Sequence, residues 1–376
     1  MKKVIIISHD LTPSTTFIYH QFIEMSKIGT KVKGYTFEDR SKGNYKINFS
    51  TIPKPTFFEF FFNSLISKIF KKIYYKNNNG FLFLKNEIKE FNPDLILIHF
   101  GTTLVKIYDE IAFFKKPIVT IFHGFDASQH LRNSKYVDKL RLIFKEKTNY
   151  ASCVAYDMIS RFSAHNINTE NIFYNHLGVD TEYFKPTIET KHENFLQVSN
   201  FVEKKGHFST IYSFKMFIEK TNDKDCKLIL AGDGPLHNQV VELIKNLSLE
   251  DRVILKGSVN IDEVYELMNQ NKYFVHHSIT SSNGDQEGIP TVVMEAMSMN
   301  MSVISTYHSG IPELISSNDL GLLVRENDKH QMSEAFCSIR KIKFRSRNHI
   351  ISNFDLNKNT FLFIESLEKI CYNFYK

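Results

Sequence analysis

Residues 285–315 read DQEGIPTVVMEAMSMNMSVISTYHSGIPELI. A turn of small and rigid residues, Gly288, Ile289 and Pro290, follows Glu287 and leads into a helical register that carries Glu295. A β-branched run then covers 302–306, and a second small-residue loop follows at Ser309 and Gly310. Loop, helix, strand and loop in that order make the repeating unit of a parallel sheet covered by helices. Pro290 suits the first turn of the helix, where its missing N–H is not needed. The N–H groups at Gly288 and Ile289, with the positive end of the helix dipole, make a seat for a phosphate.

The same alternation runs outward in both directions. The pattern predicts strands at 4–8, 31–35, 95–99, 118–122 and 153–155 in the front half. In the back half it predicts strands at 194–199, 227–231, 253–257, 273–277, 302–306 and 321–324. Helices fill the gaps, so the chain reads as α/β throughout. At 376 residues it is too long for one ordinary core. The segment NHLGVDTEYFKP, 175–186, carries turn residues between the two series and is the expected link. The expected organisation is a first domain over 1–180, a second over 181–357, and a terminal helix, 358–376, packing across both.

Composition removes several classes. With 42% hydrophobic and 23% charged residues the chain is globular, and no apolar run approaches the ~20 residues of a membrane span. The opening MKKVIIISHD is better explained as a first strand than as a signal peptide, because its apolar stretch ends at His9 and Asp10. Cys153, Cys226, Cys337 and Cys371 show no paired spacing, which fits a reducing cytoplasm and neither a zinc site nor a disulfide framework. Residues 1–180 carry 25 Lys and Arg against 16 Asp and Glu, whereas residues 181–376 carry 22 against 25. The basic front half predicts an anionic partner, and no nucleic-acid motif accompanies it. Between 53 and 76, aromatic and aliphatic residues alternate with Lys68, Lys71, Lys72 and Lys76. This composition suits a helix lying in a bilayer interface at the inner face of the membrane, and equally an ordinary covering helix with a solvated lysine face.

Glu287 and Glu295 stand eight positions apart, roughly 12 Å at helical rise. That is too far to grip one atom and right for two ends of an extended ligand. A nucleoside diphosphate sugar has hydroxyls at both ends and charge in the middle. A solvated helix face would not explain the flanking Gly, Pro and small residues. His123 in IFHGFD follows a strand and should project from the carboxyl end of its sheet into a cleft between the domains. Asp126 is placed to orient it or to cap the next helix, and His99 ends the preceding strand at the same edge. Gly232 and Gly234 in AGDGP form a turn that either lets backbone approach a ligand or merely reverses the chain. Asp223-Lys224-Asp225 mimics a metal-binding DxD but sits in a charged turn. His276 and His277 are adjacent on a strand and point to opposite faces. No metal site is expected.

The segments EGIPTVVMEAM, VSNFVEKKG, LILAGDGP, ILKGSV, GVDTEYFKP and IFHGFD together resemble the retaining glycosyltransferases of family 4. They cover most of the chain. The resemblance implies the GT-B fold, with two Rossmann-like domains facing a central cleft and a C-terminal helix crossing back. It implies a UDP- or GDP-sugar as donor substrate without a further cofactor, and metal-independent transfer to a glycan or lipid-linked glycan acceptor in cell-surface polysaccharide assembly. By the same resemblance Lys205 contacts the donor diphosphate, Glu287 the transferred sugar, Glu295 the ribose, and His123 the neighbourhood of the sugar. The sequence departs from the family where many relatives have Gly-Arg before the KG motif. Here Ser199 and Asn200 stand, and asparagine donates hydrogen bonds but carries no charge. Arg161 and Lys204 are the candidate substitutes. Asn200 leaves open a catalytically weak, nucleotide-binding partner, and the fold alone leaves open a sugar-nucleotide epimerase.

Overall fold

The computed structural model describes residues 1–12, 15–41, 49–54, 79–189, 191–342 and 344–376. They form two compact units. One comprises 1–153, 159–175 and 360–376, and the other 154–158 and 176–359. Residues 55–76 of the segment expected to be an interfacial or covering helix lie outside the described residues.

The first unit runs β1 (Lys3–Leu11), α1 (Thr16–Lys27), β2 (Lys31–Asp39), β3 (Ser50–Thr51), α2 (Asn79–Phe91), β4 (Leu95–His99), α3 (Gly101–Ile111), β5 (Ile118–Phe122), α4 (Ser134–Ile143), β6 (Asn149–Cys153), α5 (Tyr156–Ala164, whose residues up to Met158 belong to the second unit) and β7 (Ile172–Tyr174). The strands order as β3-β2-β1-β4-β5-β6-β7. All pairs are parallel. LILIH in β4 and IVTIF in β5 are buried at every position. Such near-continuous apolar runs are what a parallel sheet needs, because helices cover both of its faces.

The second unit runs β8 (His192–Val198), α6 (His207–Thr221), β9 (Leu228–Ala231), α7 (His237–Asn246), β10 (Val253–Gly257), α8 (Ile261–Gln270), β11 (Asn271–His276), α9 (Thr291–Ser298), β12 (Ser302–Thr306), α10 (Ile311–Leu314), β13 (Leu322–Val324), α11 (Lys329–Ser338) and α12 (Ser346–Asn353). The last helix, α13 (Leu356–Tyr375), starts in this unit and continues into the first from Thr360. The parallel sheet orders as β10-β9-β8-β11-β12-β13. Its core is phenylalanine, in keeping with 34 Phe and no Trp in the sequence. Phe195 of β8 meets Phe336 of α11 edge-on at 4.4 Å between ring centroids and Phe217 of α6 at 5.6 Å, and stacks on Tyr273 of β11 at 4.9 Å. Truncating such a buried ring costs about 3–5 kcal/mol.

In each unit successive crossovers build the sheet outward from one strand and then return to its other side. The reversal falls between β1 and β4 in the first unit and between β8 and β11 in the second. In open α/β sheets such a reversal, at the carboxyl ends of the strands, is where ligands are received. Two strands escape the sequence pattern, β3 with two residues and β7 with three, both too short to show a period. β6 lies at Asn149–Cys153 rather than 153–155, because Val154 and Ala155 already form the turn into α5. Among the described residues no helix is long and apolar enough to cross a membrane.

Gly206, between the turn after β8 and α6, has φ +61°, and a Cβ there would lie 2.0 Å from the carbonyl oxygen of His277. Gly257 has φ +70° with nothing within 4 Å of a Cβ. Gly257→Ala should therefore cost only the left-handed strain, about 1–2 kcal/mol, and lower Tm by roughly 2–8 °C for a unit of this size. Gly206→Ala adds a clash with main chain and should lower it at least twice as far in the same thermal melt. Equal shifts would deny the close approach of the two loops.

Candidate active site in the second unit

The turn after β8 and the loop after β11 flank the reversal in the second sheet. The turn presents Lys204 and Lys205, and the loop presents Asp285 and Glu287. Lys205 Nζ lies 2.5 Å from Glu287 Oε1, and Lys204 Nζ 3.0 Å from Asp285 Oδ2. Hydrogen bonds stitch the turn to the loop and to β8. The Ile279 N–H donates to the Lys204 carbonyl at 2.9 Å. Gln197 Nε2 donates to the Lys205 carbonyl at 2.8 Å, and Glu203 accepts from the Ser282 N–H at 2.9 Å. Glu287 is 9% exposed. Burial alone would raise its carboxyl, but the ammonium groups of Lys205 and then Lys204 outweigh burial and take it down to about 2. It is an anion at neutral pH.

The far side of Glu287 is held by a histidine that the sequence reading did not single out. His308, beyond β12, is buried. Its Nε2 accepts the Glu287 N–H at 3.1 Å, and its Nδ1 lies 2.6 Å from Glu326 Oε1. Gly310 N–H donates to the Gly288 carbonyl at 3.2 Å, so the HSG loop braces the EGIP loop at two points. Pro290 is the N-cap of α9, with extended ψ of 117°, and not its first helical residue. Its carbonyl accepts from Val293 N–H at 3.1 Å, which starts the helix at Thr291. The N–H groups of Gly288, Ile289, Thr291 and Val292 have no acceptor among the described residues. Glu295 is partly buried one turn into α9, and its carboxylate has no partner among the described residues. Burial raises it to about 7.

Asn200 is exposed on the loop after β8. Gly232 and Gly234 pack that loop rather than standing free. A Cβ at Gly232 would lie 2.1 Å from the Ser199 carbonyl oxygen, and one at Gly234 2.8 Å from both Phe201 N and O. Chain reversal against the neighbouring loop is thus enough to require both glycines. Glu313 caps α5, accepting the Tyr156 N–H at 2.8 Å. Asp223 pairs with Arg340 at 2.5 Å and accepts the N–H groups of Asp225 and Cys226, so the DxD look-alike is a structural turn. His276 and His277 are buried.

In the first unit His123 follows β5, and its Nε2 lies 3.2 Å from His99 Nδ1 at the end of β4. Burial takes His123 down to about 3 and His99 well below its ordinary value, so the pair is neutral. Phe17 and Phe100 lie tilted against His123, with ring centroids at 4.8 and 4.5 Å. Asp126 does not touch the imidazole. It accepts the N–H groups of His123 and Gly124 at 3.0 Å and of Gly101 at 2.8 Å, anchoring the loop's main chain. Arg161 also lies in this unit, donating to the Ala127 carbonyl at 3.0 Å.

Residues 179–356 match the model of the family described as glycosyl transferases group 1. The chain is 29% identical over 258 residues to a putative colanic acid biosynthesis glycosyltransferase of Escherichia coli K12, covering 67% of this chain and 63% of that protein. It is 30% identical over 256 residues to an amylovoran biosynthesis glycosyltransferase of Erwinia amylovora, covering 65% and 61%. The chain thus spans somewhat under two thirds of the length of these relatives. In structure it superposes on an Anabaena protein crystallised in complex with UDP with a TM-score of 0.78 and 15% identity, covering 98% of this chain and 100% of that one. Two parallel Rossmann-like units of this kind are the GT-B fold, and residues 179–356, somewhat under half of the chain, are similar to the family of glycosyl transferases group 1.

Proposed function

We propose that the chain moves a glycosyl group from a UDP- or GDP-sugar to a hydroxyl of a glycan acceptor, with retention of configuration, in the assembly of a cell-surface polysaccharide. The observation that carries this reading is the buried Lys205–Glu287 pair beside four uncommitted N–H groups at the start of α9, with the unpartnered carboxylate of Glu295 further along the same helix. An ammonium has three donors. Lys205 can keep one on Glu287 and turn the others to a diphosphate seated on the helix terminus. Charge grows on that diphosphate as the glycosidic bond breaks, so a fixed cation and amides lower the barrier more than they strengthen ground-state binding. No metal ion is given a role. Glu287, held ionised, accepts from a hydroxyl of the transferred sugar, and Glu295 accepts from the ribose hydroxyls. His123, as a neutral imidazole, is assigned to the transferred sugar. The donor phosphate takes the acceptor's proton while the two bonds exchange on one face. The basic front half fits an anionic, lipid-linked acceptor met at the inner face of the cytoplasmic membrane, and the relatives named for colanic acid and amylovoran biosynthesis fit polysaccharide assembly. Asn200 favours a second reading, a catalytically weak nucleotide-binding partner, which would bind donor without turnover in the presence of acceptor.

Glu295, raised to about 7, must be ionised to accept both ribose hydroxyls. Donor affinity should fall by up to about tenfold from pH 8 to pH 6. Glu295→Gln should bind more weakly with a flat profile, and titration calorimetry with a nucleotide sugar reads both.

Lys205→Met should lower kcat by roughly 10²–10³-fold. It should also destabilise the fold. The Glu287 carboxyl stands at about 2 in the fold, below its ordinary value of 4.5, so its contribution is present above pH 4.5 and lost as pH falls through 2. That contribution is about 3 kcal/mol. Denaturant unfolding should show Lys205→Met weaker than wild type by this order at pH 7, with the gap closing as pH drops below 4.5. Adding Glu287→Gln should restore much of the loss, because no uncompensated charge then stays buried.

A further inference from the structure

His308 is the point at which β12 and β13 reach the Glu287 loop. Its main chain is fixed on both sides. Tyr307 N–H donates to the Val324 carbonyl at 2.9 Å, His308 N–H to the Thr306 carbonyl at 2.8 Å, and Ile311 N–H to the His308 carbonyl at 3.0 Å. Its imidazole bridges Glu287 N–H at 3.1 Å and Glu326 Oε1 at 2.6 Å. The other Glu326 oxygen accepts the Thr280 N–H at 2.7 Å. This pattern admits one protonation state. A main-chain N–H can only donate, so Nε2 holds a lone pair and the proton sits on Nδ1, donated to Glu326. Burial raises the Glu326 carboxyl, but hydrogen bonds from His308 and from Thr280 bring it below its ordinary value, so the acceptor is an anion.

Resting on the transferase reading above, we propose that His308 and Glu326 are positioning residues for Glu287: Glu326 sets the tautomer of His308, and His308 fixes the main chain from which the Glu287 carboxylate reaches toward Lys205. Neither touches the donor. Without them Glu287 would be held chiefly through its ammonium partner, and would drift as Lys205 turned toward a phosphate. A tether on the opposite side, on the main chain, holds the carboxylate while Lys205 moves. Removal of Glu326 frees the imidazole to carry its proton on Nε2, where it would face the Glu287 N–H donor to donor. A shift of a fraction of an ångström at a sugar-contacting carboxylate is enough to slow transfer.

Steady-state kinetics, nucleotide affinity and thermal melts of His308→Ala, His308→Gln, Glu326→Ala and the double variant His308→Ala/Glu326→Ala test this. Each single alanine variant should lower kcat by about tenfold to a hundredfold, with the UDP dissociation constant changed by no more than about threefold, since Lys205, Glu295 and the α9 amides remain. The double variant should be no slower than His308→Ala, because Glu326 acts through His308. His308→Gln, whose amide oxygen reaches the place of Nε2, should recover part of the lost kcat. Additive losses, an unchanged kcat in Glu326→Ala, or UDP affinity falling in step with kcat would overturn the proposal. If His308→Ala does not fold, Glu326→Ala carries the test, its side chain being 27% exposed in the wild type. Proton–nitrogen correlation spectra of ¹⁵N-histidine-labelled protein should then show a buried Nδ1–H tautomer, absent in His308→Gln and altered in Glu326→Ala. An Nε2–H tautomer at His308 in the wild type would overturn the proposal whatever the activity. Failure of the transferase reading is separate, and appears as a folded wild type that neither binds nucleotide nor turns over.

Discussion

A carboxylate nine-tenths removed from water keeps its charge only if a cation stays within contact distance, and the second unit is arranged to keep one there. Glu287 sits at the carboxyl edge of the sheet, where burial favours its neutral form, and the Lys205 ammonium 2.5 Å away reverses that preference. Everything around the pair serves its geometry. Lys204–Asp285 ties the same two loops a residue or two away. Gly206 lets the KKG turn lie against the end of β11 with no Cβ between them. The HSG loop grips Glu287 and Gly288 from the other side.

That arrangement follows from topology. Because the chain reverses its winding between β8 and β11, the two loops that leave these strands are neighbours, although Lys205 and Glu287 are 82 positions apart. Under the proposed function, a nucleotide at this edge would meet a helix terminus, a cation and two carboxylates set in opposite states. Glu287 is driven down to about 2 by its ammonium and Glu295 up to about 7 by burial without a partner. Glu287 is thus an anion at neutral pH, whereas Glu295 stands close to half-ionised there. The first unit presents the contrary chemistry, a neutral His99–His123 pair under aromatic rings.

Much of this was legible in the residues. The short β-branched runs alternating with helical stretches place eleven strand positions well enough to give two parallel sheets, and the 285–315 stretch reads as the loop, helix and strand that carry Glu287 and Glu295. What escaped has physical reasons. β3 and β7 are too short to carry a period. His308 and Glu326 lie 21 and 39 positions beyond Glu287, and only the pairing of β12 with β13 brings them to it. Two lysines in a row cannot be told apart by sequence, whereas the structure gives each its own carboxylate. Asp126 could be read as orienting an imidazole or as capping a helix, and a buried carboxylate beside three main-chain N–H groups is satisfied by those and not by the ring.

The most direct test is a crystal structure of the chain grown with UDP, and in parallel with GDP. The account predicts a diphosphate within hydrogen-bonding distance of Lys205 Nζ and of the N–H groups between Gly288 and Val292, with both ribose hydroxyls on Glu295. A nucleotide bound elsewhere, or one that leaves Glu295 unpartnered and Lys205 solely on Glu287, would contradict it.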